Sequence, residues 1–168
     1  MATSLPVPPE GVWPWLAQMG GDRGGWYSRD WLDNNGKPSA DRIVPEWQDL
    51  HVGQQLSRVA TPGEEPGSFT VVTLEPNRTL VLRSSYGLFT GRDFDPGVGP
   101  APRPWVDGIW GFHLRPTSEG GTRLVARSRN RGGPRVITRP FALLGEPMHF
   151  AMQTRQFRNL RRRVTTHR

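Results

Sequence analysis

Hydrophobic and polar positions change period along the chain, and the changes mark out its elements. Leu5 and Val7 read as a short strand that stops at Pro8 and Pro9, where proline removes backbone donors. Glu10 then opens a helix whose apolar side is Val12, Trp13, Trp15, Leu16 and Met19. Gly20 and Gly21 end it, and Gly24 and Gly25 precede a second aromatic segment, residues 26–32, predicted as a short helix ending at Asn34-Asn35-Gly36. Residues 39–52 hold no sustained period and are expected to form an ordered connector.

Beyond Gly53 the pattern becomes that of strands and hairpins. Strands are predicted over residues 55–60, 68–74, 79–83, 109–114 and 122–129, with turns at 75–78 and 116–121. The Pro- and Gly-rich residues 93–104 cannot carry a regular ladder and interrupt the strands, either as a lid or as a disordered bridge. Residues 131–140 look loop-like, and Pro147 suits the first turn of a terminal helix running to about Val164. At about 100° per residue, Glu146, His149, Phe150, Gln153, Phe157, Leu160 and Val164 share one side of that helix, with Arg155, Arg158 and Arg162 opposite. The order of strand, two short helices, antiparallel strands and one long closing helix is that of an α+β chain.

Composition narrows the class. With 168 residues, 35% of them hydrophobic, the chain holds one core and is expected to be a single domain over residues 1–168. The 20 Gly and 17 Pro make it loop-rich, while seven Trp argue for real burial. The lack of cysteine excludes disulfide scaffolds, thiolate nucleophiles and iron–sulfur clusters, and fits a reducing cytoplasm. No run approaches the roughly 18 apolar residues of a membrane span. Residues 1–15 show neither a basic nor an apolar signal region, so an unprocessed cytoplasmic protein is expected.

The net charge of +7 is unevenly spread: residues 1–122 carry 10 basic and 14 acidic side chains, residues 123–168 carry 12 and one. Only one of the 22 basic residues is lysine, and no aromatic-interleaved basic motif accompanies the charge, so no nucleic-acid partner is expected. The cluster Arg155, Arg158, Arg161, Arg162 and Arg163 either complements the helix dipole and keeps the domain soluble or docks on an acidic partner or membrane surface. There is no Gly-x-Ser-x-Gly elbow, phosphate-binding loop or dinucleotide fingerprint. Glu146 and His149 make a single Glu-x-x-His pair without the second copy a di-iron bundle needs, so neither a metal nor a cofactor is expected.

Several stretches resemble the SRPBCC superfamily, the START-like or helix-grip proteins that include polyketide cyclases and lipid-transfer domains. They are Val7-Pro8-Pro9-Glu10-Gly11-Val12-Trp13-Pro14-Trp15-Leu16, residues 40–53, residues 74–83, Trp110-Gly111-Phe112-His113-Leu114-Arg115-Pro116, and Glu146-Pro147-Met148-His149-Phe150. The resemblance spans nearly the whole chain and implies a curved antiparallel sheet of about seven strands wrapped around a long C-terminal helix, with an apolar cavity between them. It implies a small hydrophobic or aromatic ligand there, lipid- or polyketide-like. Phe150, Phe157 and Leu160 would line the cavity from the helix, and Trp110, Phe112 and Leu114 from the strands.

Polar groups on the helix's apolar stripe need partners, because burying each unpaired costs about 1–3 kcal/mol. Glu146, His149 and Gln153 therefore either satisfy backbone groups or fix a ligand, with Gln153 placed as a ligand contact. If the cavity belongs to an enzyme, the resemblance implies a cyclase or dehydratase in which His149, Tyr27 and Glu146 move protons. Tyr27, Asp30, Asp41, Arg42 and Glu46 would border its entrance.

Overall fold

Two long hairpins build the sheet, and each turn has a local cause. In the computed structural model, which describes residues 1–58 and 67–166, Asn77 takes a left-handed conformation (φ 62°) between strands β3 (Ser68–Glu75) and β4 (Thr79–Gly87). Gly120 (φ 75°) does the same between β5 (Trp105–Pro116) and β6 (Thr122–Gly133), where the Thr117 hydroxyl accepts the Gly121 amide at 3.1 Å. Strand β1 (Ala2–Leu5) pairs with β6 and β2 (Gln55–Ser57) with β3, giving one antiparallel sheet in the order β1-β6-β5-β4-β3-β2. The predicted strand 55–60 is thus shorter, and its last two positions lie outside the described residues.

Side-chain alternation decides which face is buried. The register Leu80↔Phe112, Leu82↔Trp110, Phe112↔Ala126 and Leu114↔Leu124 puts one apolar set on the inner face. Helix α1 (Pro9–Ala17) covers that face with Val12, Trp15 and Leu16, and the last turns of α3 (Arg135–Thr166) add Phe157, Leu160 and Val164. On the other face Asp107 draws in Arg83 and Arg131, at 2.9 and 2.8 Å. Burial alone would raise the Asp107 carboxyl. Hydrogen bonds from Arg83, Ser85 and Arg131 outweigh it and bring the pKa down to about 2.

The result is a curved sheet gripping a long C-terminal helix, the helix-grip arrangement, but with six strands among the described residues rather than about seven. Pro45 lies in the connector, where a single 3₁₀ turn forms at Pro45–Trp47 instead of a strand. The connector is ordered because the buried Gln18 side chain donates to the Arg42 carbonyl (3.1 Å) and accepts the Val44 amide (3.0 Å). At the start of residues 93–104, Asp93 bridges to Tyr86 beside β4 and takes hydrogen bonds from the Ser68 amide (2.6 Å) and hydroxyl (2.7 Å), and none of residues 93–104 lines either of the two cavities described below.

Two helices differ from expectation. The second short helix is only α2, Asp30–Asp33, because Tyr27 is left-handed (φ 58°) and breaks the preceding run. Helix α3 begins at Arg135, well before Pro147, with Pro140 and Pro147 inside it. Each proline removes one helical hydrogen bond without ending the helix, and Ala142, Leu143, Leu144 and Glu146 are good helix formers around them. The early start has a structural consequence: the first half of α3 overhangs the sheet. Its outward side is apolar, with Val136 81%, Leu143 69% and Leu144 79% exposed.

Candidate functional site

Where α3 lifts away, the inner face of the sheet is no longer filled, and a cavity of about 400 Å³ remains. Its walls come from widely separated parts of the sequence. Trp26 and Ser28 precede α2, and Leu32 and Asp33 belong to it; Phe69 lies on β3; Ser84 and Tyr86 lie on β4; Trp110 on β5 faces Met148, His149, Met152, Gln153 and Gln156 on α3. Trp26, Phe69 and Trp110 form one aromatic cluster, with ring centroids 5.2 to 6.0 Å apart.

The amides in this wall are spoken for. Trp110 Nε1 donates to Gln153 Oε1 at 3.0 Å, Gln153 Nε2 donates to Gln156 Oε1 at 2.6 Å, and Gln156 Nε2 donates to the Trp26 carbonyl at 2.8 Å. This relay ties α3 to β5 and to the segment before α2, and turns two buried glutamines into a closed network. Trp26 Nε1 in turn donates to the Arg58 carbonyl at 2.8 Å. Arg58 is paired with Asp93 at 2.9 Å, donates to the Ser84 hydroxyl, and lies 4.2 Å over the Tyr86 ring.

Asp33 and Ser28 stand apart from that network. They are 7% and 8% exposed, and neither carboxylate oxygen of Asp33 nor the Ser28 hydroxyl has a hydrogen-bond partner. Desolvation raises the Asp33 carboxyl to about 6, although the nearby Arg29 amide and Ser28 hydroxyl pull it the other way.

The expected site residues are dispersed. Trp110, Gln153 and His149 line this cavity. Phe112, Leu114, Phe157 and Leu160 are packed in the core and do not line it, because α1 covers the sheet at their level. Phe150 is 60% exposed, and Glu146 and His149 are largely exposed too, since an open cleft rather than packed side chains separates this part of α3 from the sheet. The predicted continuous buried stripe is therefore only Gln153, Phe157, Leu160 and Val164.

Glu146 and Phe150 line a second, wider cleft of about 990 Å³ under the first turns of α3, together with Arg131, Arg135 and Arg139. The two spaces share Tyr86, Val106, Ser128, Asn130 and His149. The His149 ring sits edge-on to Trp110, at 6.1 Å between centroids, with Nε2 3.3 Å from the Ser128 hydroxyl. Partial burial of that ring, and then the positive N-terminus, lower its pKa. Among the described residues no group of three or more His, Cys, Asp or Glu could hold a metal ion.

Tyr27 lines neither space. It is fully buried, its hydroxyl accepts from Gln18 Nε2 at 2.9 Å, and its carbonyl accepts from Asn159 Nδ2 at 2.8 Å. Burial holds its hydroxyl protonated far above the usual phenol range. Arg163 stacks over the Tyr27 ring at 4.8 Å and donates to the Ala40 carbonyl at 2.7 Å, so this member of the arginine cluster is a clamp, whereas Arg155, Arg158, Arg161 and Arg162 are exposed. Asp30, Asp41, Arg42 and Glu46 also lie outside both cavity linings.

Sequence reasoning missed Asp33, Phe69 and Gln156. Phe69 shares the buried face of Val71 by alternation, and Gln156 stands one turn from Gln153, so both carried a signal. Asp33 in Trp31-Leu32-Asp33-Asn34-Asn35-Gly36 reads as an ordinary polar helix end, and nothing in that local pattern marks it as buried.

No protein-family model matches the chain, and neither does any curated protein. Solved structures match over nearly its full length. Protein NE0264 from Nitrosomonas europaea is 19% identical with a TM-score of 0.60, covering 100% of this chain and 94% of that one. A protein from Rhizobium leguminosarum is 13% identical with a TM-score of 0.54, covering 99% and 92%. MLL2253 from Mesorhizobium loti is 18% identical with a TM-score of 0.51, covering 99% and 95%. At these identities the likeness is one of fold, and that fold is the helix-grip arrangement. No helix of the described residues is long and apolar enough to cross a membrane.

Proposed function

We propose that the protein binds a small hydrophobic or aromatic molecule in the cavity between the sheet and α3. The observation that carries this reading is the cavity itself, about 400 Å³ in volume and walled by Trp26, Phe69, Trp110 and Met152. That volume lies in the range of small-molecule pockets, roughly 300–1,000 Å³. The glutamine relay supports it, because a closed network leaves these amides without unmet demand, so the helix side of the cavity does not require a polar ligand.

Binding is favoured over cyclase- or dehydratase-type catalysis because the three acid–base candidates do not converge. Tyr27 is sealed in the core, Glu146 faces the wider cleft, and only His149 reaches the aromatic cavity. Native mass spectra of gently purified protein test the reading. An apolar mass that is retained while the chain is folded and lost on denaturation is the expected result. Failure of the folded protein to retain or take up any apolar compound at millimolar concentration overturns it. Turnover that disappears in His149→Ala moves the assignment to an enzyme.

A further inference from the structure

The cavity also carries a charge pattern, and it narrows the ligand class. A buried carboxylate with no hydrogen-bond partner is costly, and it is stabilised by a cation that brings its own donors. Asp33 is such a residue on this wall, with both carboxylate oxygens unpartnered, and the Ser28 hydroxyl, also on the wall, is unpartnered as well. The other charged groups on the wall are already accounted for. Arg58 is neutralised by Asp93 at 2.9 Å and held by the Ser84 hydroxyl. Burial keeps the His149 ring from taking up a proton as readily as a free histidine. The uncompensated charge of the cavity is therefore negative and belongs to Asp33. Ring faces supply a second preference of the same sign, since aromatic quadrupoles attract organic cations, and Trp26, Phe69 and Trp110 all stand on this wall.

Resting on the binding function above, we propose that the ligand is an apolar or aromatic amine whose ammonium pairs with Asp33 and Ser28 while its body lies among Trp26, Phe69 and Trp110. The occupant is thus distinguished from a neutral lipid-like molecule and from a carboxylic acid, both of which leave the Asp33 carboxylate unpaired.

Calorimetric titration of the full chain with three probes of one size, phenylbutylamine, phenylbutanol and phenylbutyrate, at about pH 8 tests the class. The amine is expected to bind about tenfold or more tightly than the alcohol, with no measurable binding of the carboxylate. In Asp33→Asn the amine-to-alcohol ratio is expected to fall to near one. Equal binding of amine and alcohol by the unaltered protein overturns the amine assignment and leaves the cavity reading standing. So does a preference that survives Asp33→Asn. Failure of all three probes to bind overturns both. Should Asp33→Asn not fold, as judged by circular dichroism, the three-probe comparison on the unaltered chain still decides.

Discussion

Asp33 makes its own folded state less favourable at neutral pH, and the sign can be worked out. Its carboxyl has a pKa of about 6 in the fold against an ordinary 3.8, so the folded protein holds that proton more tightly than the unfolded chain does. The stabilising effect is complete below about pH 4 and is lost as pH rises through about 6. Replacing the carboxylate by an amide removes the penalty. Asp33→Asn is expected to raise stability at about pH 8, on the order of 2–3 kcal/mol, and to change it little below about pH 4. Urea melts at the two pH values check this, and a variant no more stable at the higher pH contradicts the burial argument. Residue-scale features were the least legible part of the sequence. The resemblance placed Tyr27 at the cavity entrance as a proton carrier, yet Gln18, Ser39, Asn159 and Arg163 from three separate segments close around it. Such enclosure is a long-range property that no local pattern displays.

Helix α3 shows how far an element can be read from its period. The wheel correctly identified Gln153, Phe157, Leu160 and Val164 as one buried side, because in that half the helix packs on α1 and the sheet. It failed at Glu146, His149 and Phe150 because a period tells which residues share a side and not how closely the opposite surface packs against them. The start at Arg135 was hidden by two prolines that read as breakers. The two halves are expected to respond differently to truncation. Phe157→Ala should cost about 3–5 kcal/mol as a large core deletion, while Phe150→Ala should stay within about 0.5 kcal/mol. Thermal melts of the two variants separate a helix buried along one side throughout from one that overhangs. Strand reading fared better: alternation placed all five predicted strands in the central and C-terminal parts, within the limits of what is described, because one face of the sheet is solvent-facing and the other is core.

For the whole molecule, the α+β order and the closing helix were visible from element succession alone; the count of about seven strands came from the resemblance, whereas the strands read from the pattern itself are the six of the sheet. The site was legible as a place, between sheet and helix, and largely illegible as a set of residues, since part of its wall comes from residues 26–33 and β3, which only the fold brings to α3. Stability within this architecture is uneven. The C-terminal turns of α3 are locked by Phe157, Leu160, Asn159 and Arg163, while its first turns carry exposed Val136, Leu143 and Leu144. Backbone amides along this one helix should therefore exchange with deuterium at graded rates, fast near Arg139 and slow near Leu160, with free energies of opening that rise toward the locked end. Mass-spectrometric exchange reads that gradient directly, and uniform protection along the helix contradicts it. A ligand seated against Met148 and Met152 would steepen protection at the loose end first, so the helix doubles as a gauge of occupancy that needs no knowledge of what the occupant is.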